Sequence, residues 1–98
     1  MRLRDFLKTE GYTDLVELST GELAGIIKFK FKPGFGLTAG MTKHGYRIRY
    51  TFNREYDAYQ ALMSWNGDDH PHGNWVDVVG NDEYGVRVDK HDLIEYLS

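Results

Sequence analysis

Residues 24–52 read AGIIKFKFKPGFGLTAGMTKHGYRIRYTF, and the fold turns on how this run divides into strands. At its start Ile27, Phe29 and Phe31 alternate with Lys28, Lys30 and Lys32. At its end Tyr46, Ile48, Tyr50 and Phe52 alternate with Arg47, Arg49 and Thr51. Successive side chains of a strand point to opposite faces. The period of two therefore predicts strands over 24–32 and 46–52, each with an apolar inner side and a charged outer side. The intervening PGFGLTAGMTKH (33–44) carries glycines at 34, 36 and 40 and reads as a long connection. With the two strands as sheet neighbours, Ile27, Phe29, Phe31, Tyr46, Ile48, Tyr50 and Phe52 face the core.

Upstream, Leu3, Phe6 and Leu7 fall at i, i+3, i+4, the spacing of a short amphipathic helix that Gly11 stops. YTDLVELS (12–19) leans to strand, with a turn at Thr20–Gly21. A helix over 14–27 competes for the same residues, but Gly21 and Gly25 disfavour it. Downstream, Asn53 is a candidate N-cap for a helix over REYDAYQALMSW, with Tyr56, Tyr59, Leu62 and Met63 on its buried stripe. Glu55 and Asp57 sit in its first turn, where the helix dipole favours acids. NGDDHPHGN (66–74) is a polar loop. WVDVVG and YGVRVD flank the NDE turn as a hairpin. Asp89 caps a last helix with Leu93, Ile94 and Leu97 inward. The order α-β-β-β-α-β-β-α predicts one α+β domain over 1–98, a largely antiparallel sheet of about five strands with three helices.

Composition narrows the classes. A chain of 98 residues with 41% hydrophobic and 14% aromatic residues has the material for one folded core. Cysteine is absent, which excludes disulfides, thiolate chemistry and cysteine-based zinc sites and fits a reducing, cytoplasmic setting. MRLRDFLKTE is charged throughout, unlike a signal peptide. No apolar run reaches the ~18 residues of a membrane span. Arg2 stands where myristoylation needs glycine, and no C-terminal CaaX cysteine is present.

The net charge of −3 conceals an asymmetry. Residues 1–54 carry ten Lys/Arg against five Asp/Glu, whereas 55–98 carry two against ten. The two halves either neutralise each other within the fold or leave a dipolar surface that steers a partner. Four features bear on partners. Lys28, Lys30, Lys32, Arg47 and Arg49 would make a basic sheet face of the kind that meets phosphates, although the alternation takes the stacking aromatics away from it. In the glycine-rich segment, Phe35, Leu37 and Met41 form a candidate protein-binding knob. Its GxGxxxG spacing, followed by a strand, fits neither a dinucleotide fingerprint nor a P-loop. Trp65, Asp68, Asp69, Asp82 and Glu83 would make an acidic, aromatic surface suited to a basic protein site. Asp68, Asp69, His70 and His72 carry metal-ligating chemistry, but adjacent loop residues splay rather than converge, so no metal and no cofactor is expected.

The three serines lack a nucleophile-elbow context, and no carboxylate pair stands in a setting that tunes an acid and a base apart. The expectation is a non-enzymatic binding protein acting through a protein–protein interface. A nucleic-acid-binding module using the basic face is the alternative. In size and composition, rather than by any motif, the whole chain resembles small accessory proteins of phages and mobile elements, including inhibitors of host defence and nucleic-acid-handling proteins. That likeness implies action in a host cytoplasm.

Overall fold

The structure, a computed structural model, describes residues 2–81 and 87–88. It is an α+β sheet protein whose described residues form eight elements: α1 (Leu3–Thr9), β1 (Thr13–Glu17), β2 (Leu23–Lys28), β3 (Phe35–Ala39), β4 (Ile48–Phe52), α2 (Glu55–Ser64), β5 (Asp77–Asn81) and β6 (Arg87–Val88). Five full strands and the two-residue β6 form one antiparallel sheet in sequence order, β1-β2-β3-β4-β5-β6. The expected class holds. The expected last helix lies outside the described residues.

The largest departure from the sequence reading is β3. Residues 33–44 are not one connection, because Phe35–Ala39 is a central strand whose residues Gly36–Ala39 are all buried. It separates β2 from β4, so the two alternating strands are not neighbours. Register explains the glycine. Gly36 lies opposite Ile27 and Thr51, and a Cβ there would stand 3.0 Å from the Phe29 ring and 3.2 Å from Arg49 Cδ. Phe29 needs that gap to fold back over the sheet. β2 accordingly ends at Lys28, and residues 29–34 turn the chain into β3, with Phe29 N–H donating to the Gly34 carbonyl at 3.2 Å.

Both sheet faces are covered. The row Ala24–Ala39–Ile48 and the row Ile26–Leu37–Tyr50–Val78 project to one side, joined by Phe52, and meet Ala58, Ala61, Leu62 and Trp65 of α2 and its C-terminal flank. On the other side Leu15, Leu23 and Ile27 pack under Leu3, Phe6 and Leu7 of α1, with Tyr12, Met41 and Tyr46. Thus Ile26, rather than Ile27, enters the main core, and Ile27 serves the second, smaller one. Gly11 ends α1 as expected: at φ 107° it lets its own N–H reach the Lys8 carbonyl and that of Tyr12 reach Leu7.

The α2 stripe also differs from expectation. Ala58, Ala61 and Leu62 are buried, while Tyr56, Tyr59 and Met63 face outward. Only small side chains let the helix axis approach a sheet already crowded by Tyr50, Phe52 and Trp65. Nor does Asn53 cap the helix. The N-cap is Arg54, whose guanidinium instead pairs with Asp57 at 3.0 Å.

Candidate functional site

Three regions of the surface and its clefts hold the chemistry. The first is the loop between α2 and β5, organised around Tyr50. The Tyr50 side chain is buried, and its hydroxyl lies 2.7 Å from His70 Nδ1. Trp65, His70 and Trp75 meet its ring edge-on, with centroids 5.6, 5.6 and 5.3 Å away. Trp65 Nε1 donates to the Asp68 carbonyl and Trp75 Nε1 to that of Pro71, both at 3.1 Å, so the loop satisfies its own indoles. Burial holds the Tyr50 phenol well above its ordinary pKa, opposed by the nearby Arg47 charge and reinforced by Asp69. The phenol therefore stays neutral and serves as a structural hydroxyl.

Two expectations fall on this loop. Trp65 is buried beside Tyr50 and cannot contribute to an acidic, aromatic surface, although Asp68 and Asp69 are exposed. Asp82 and Glu83 lie outside the described residues. His70 turns inward to Tyr50 while His72 stays exposed, and among the described residues no three His, Asp or Glu side chains converge on a metal position.

The second region is the β2–β3 tip. Leu37 and Met41 are almost fully buried and Phe35 is half-buried against the main core, so the proposed knob of Phe35, Leu37 and Met41 is not one. Strand formation by 35–39 puts Leu37 opposite Ile26 and Tyr50, where it fills the centre of the sheet. The exposed aromatic is instead Phe31, 97% accessible, between exposed Lys30 and Lys32. The expected basic face does not form either. Lys28 lies in the row of Phe35 and Phe52, whereas Arg49 lies in the row of Thr38 on the opposite face. Lys30 and Lys32 belong to the turn. Arg47 is held by Glu22 through two hydrogen bonds, of 2.5 and 2.8 Å. Those bonds lower the Glu22 pKa and raise that of Arg47, against a smaller desolvation effect on each.

Register places several exposed apolar side chains at one end of the sheet. Lys28, Phe35 and Phe52 form its last paired row, and Val76 donates its N–H to the Thr51 carbonyl beside them. Beyond this row lie the 29–34 turn and the first turn of α2. Phe31, Tyr56 (68% exposed) and Val76 (48% exposed) therefore share one end. Tyr59 and Met63 continue from Tyr56 along the outer side of α2 at i+3 and i+7. Sequence periodicity had assigned these α2 side chains to the core. The signal that would have placed them outside was the Ala58, Ala61, Leu62 stripe.

The third region is a pocket of ≈ 310 Å³ lined by residues of α1, β2 and the segment after β3, and by Arg49. Arg49 Nε donates to Thr38 Oγ1 at 3.1 Å and Nη2 to the Tyr12 hydroxyl at 2.8 Å. Its guanidinium carbon lies 4.5 Å from the Tyr46 ring centroid and 5.6 Å from that of Phe29, which also carries Lys32 Nζ at 4.7 Å.

Comparison with known proteins adds no relative: no family model, curated protein or solved structure matches the chain. No helix among the described residues is long and apolar enough to cross a membrane.

Proposed function

We propose that the protein is a non-enzymatic binding module that docks the tip end of its sheet onto a partner protein. The observation that carries this reading is that Phe31, Tyr56 and Val76, all exposed, lie at the end of the sheet marked by the Lys28–Phe35–Phe52 row. Exposed aromatics are costly in water and are the residues that anchor interfaces once desolvated. Lys28, Lys30 and Lys32 flank them and take part in no ion pair among the described residues, so they favour an acidic partner and speed its encounter. The site differs from the expected one, since its anchor is Phe31 rather than Phe35, Leu37 and Met41.

The test is affinity purification from a native lysate, treated with nuclease, using the wild type and a Phe31→Ala/Tyr56→Ala variant. The double variant should keep its circular dichroism spectrum and lose the captured protein. Equal capture by both would refute the docking end.

A second reading has one observation behind it. Phe31 offers an open ring between two lysines, the arrangement on which a single-stranded nucleic acid stacks a base while its phosphates meet cations. It requires binding of an oligo-dT strand at about 50 mM salt, weakening by decades as salt rises and abolished by Phe31→Ala. Absence of binding at that ionic strength would remove it.

A further inference from the structure

We propose that Arg49 anchors a binding site for a small carboxylate with a flat apolar body. The site lies on the α1 face of the sheet and is built on residues other than Phe31, Tyr56 and Val76 of the tip-end docking surface. Three observations lead to it. Arg49 is half-buried in the middle of β4, yet both its acceptors are neutral hydroxyls, Thr38 Oγ1 and the Tyr12 hydroxyl. No carboxylate among the described residues pairs with it. A partly buried charge with only neutral acceptors attracts whatever anion can reach it.

The geometry of the remaining donors defines that anion. A guanidinium has five N–H groups in a rigid fork. Nε and one Nη2 proton are committed to Thr38 and Tyr12, which fixes the plane of the group. With Tyr12 taking the Nη2 proton on the Nε side, Nη1 and the second Nη2 proton are left side by side, as an end-on fork that matches the two oxygens of a carboxylate. Thr38 is fully buried and Tyr12 nearly so, and the Tyr46 and Phe29 rings pack on the guanidinium, so the fork is held in place before any ligand arrives. Preorganisation of this kind distinguishes it from a surface arginine.

The pocket above it sets the rest of the ligand. Its volume of ≈ 310 Å³ is at the small end of the roughly 300–1,000 Å³ common for small-molecule sites. Phe6, Ile27, Met41 and Tyr46 give it apolar walls, and the exposed Glu10 and Lys43 also line it. A flat hydrocarbon body against these walls, with its carboxylate toward Arg49, satisfies both surfaces.

The experiment uses the ¹⁵N-labelled protein, with benzoate as the probe and benzyl alcohol as its neutral counterpart, followed by two-dimensional NMR. Benzoate should move the Arg49 Nε–H resonance and the amides of Tyr12, Gly45 and Tyr46. Its dissociation constant should be on the order of 1 mM, as befits so small a ligand. Benzyl alcohol should bind at least about tenfold more weakly, and Arg49→Lys, which keeps the charge but loses the fork, should weaken benzoate by a similar factor. Equal responses to the acid and the alcohol, or an unmoved Arg49 Nε–H during the titration, would overturn the proposal. The acid–alcohol comparison needs only the unaltered protein, so it decides the matter even if the lysine variant does not fold.

Discussion

Replacing Leu37 and Phe31 by alanine, separately, tests the placement of β3 within a single hairpin. Leu37 is 0% exposed at the centre of the sheet, opposite Ile26 and Tyr50, and α2 closes over that row. Burying a leucine side chain contributes about 1.5–3 kcal/mol. The void left by alanine, walled by strands that cannot collapse, brings the loss to about 3 kcal/mol or more. Phe31 is larger but 97% exposed, and its removal should alter stability by less than about 0.5 kcal/mol. Urea unfolding followed by tryptophan fluorescence, with Trp65 and Trp75 packed around Tyr50 as reporters, measures both. With a urea slope of about 1 kcal/mol/M, the Leu37→Ala midpoint should fall by about 3 M while that of Phe31→Ala stays put. If Leu37→Ala costs under about 0.5 kcal/mol, or the two variants are affected equally, Phe35–Ala39 is not a central strand.

Other perturbations probe separate parts of the structure. Tyr50→Phe leaves His70 Nδ1 without its 2.7 Å partner and should cost about 1–2 kcal/mol by thermal unfolding, with the indole fluorescence changed. Glu22→Gln removes the acid that Arg47 holds below its ordinary pKa. Its stabilisation is present above the unfolded glutamate value of about 4.3 and is lost as pH falls through the lowered folded value. The variant should therefore be less stable than wild type at pH 7, by under about 1 kcal/mol for so exposed a pair, and the gap should narrow as pH falls below the unfolded glutamate value in denaturation curves taken across that range. Gly25→Val would put a Cβ 2.7 Å from Leu15 Cδ2 and 3.2 Å from the Thr13 carbonyl. Leu15 can yield but the β1 backbone cannot, so a loss of about 1–3 kcal/mol is expected in urea.

Period two identified β4 over Ile48–Phe52, because Ile48, Tyr50 and Phe52 alternate with polar residues and no glycine intervenes, but it began the strand two residues early and sent Tyr46 to the main core, whereas Tyr46 packs in the smaller one on the other face. The same rule failed after the first residue of KFKFK (28–32). It followed Phe29 and Phe31 past Lys28, where the chain had already left the sheet. β3 was hidden for the converse reason. Its Gly36 marks a close approach by Phe29, a tertiary fact, whereas Gly34 at φ 115° marks a turn, and local pattern does not tell the two apart. In α2 the aromatics outranked the alanines as core candidates, although a helix lying on a crowded sheet requires small residues at the contact. The Arg49 pocket drew on residues from α1, β2, β4 and the segment after β3, a convergence that only the strand order creates. Cation and aromatic were both visible in the sequence, but as opposite sides of one strand.

The strictly sequential strand order also bears on how the chain folds. Each strand from β2 to β4 pairs with its immediate predecessor across a short connection, and only residues 53–76 interrupt the progression before β5. Local pairing closes small loops at little entropic cost, so zippering from the β2–β3 hairpin outward should be fast, with β5 joining after α2 has docked. Protection of the β2, β3 and β4 amides in pulsed hydrogen exchange should then precede that of β5. A chain cut within residues 66–74 would keep the early unit together and lose the late one.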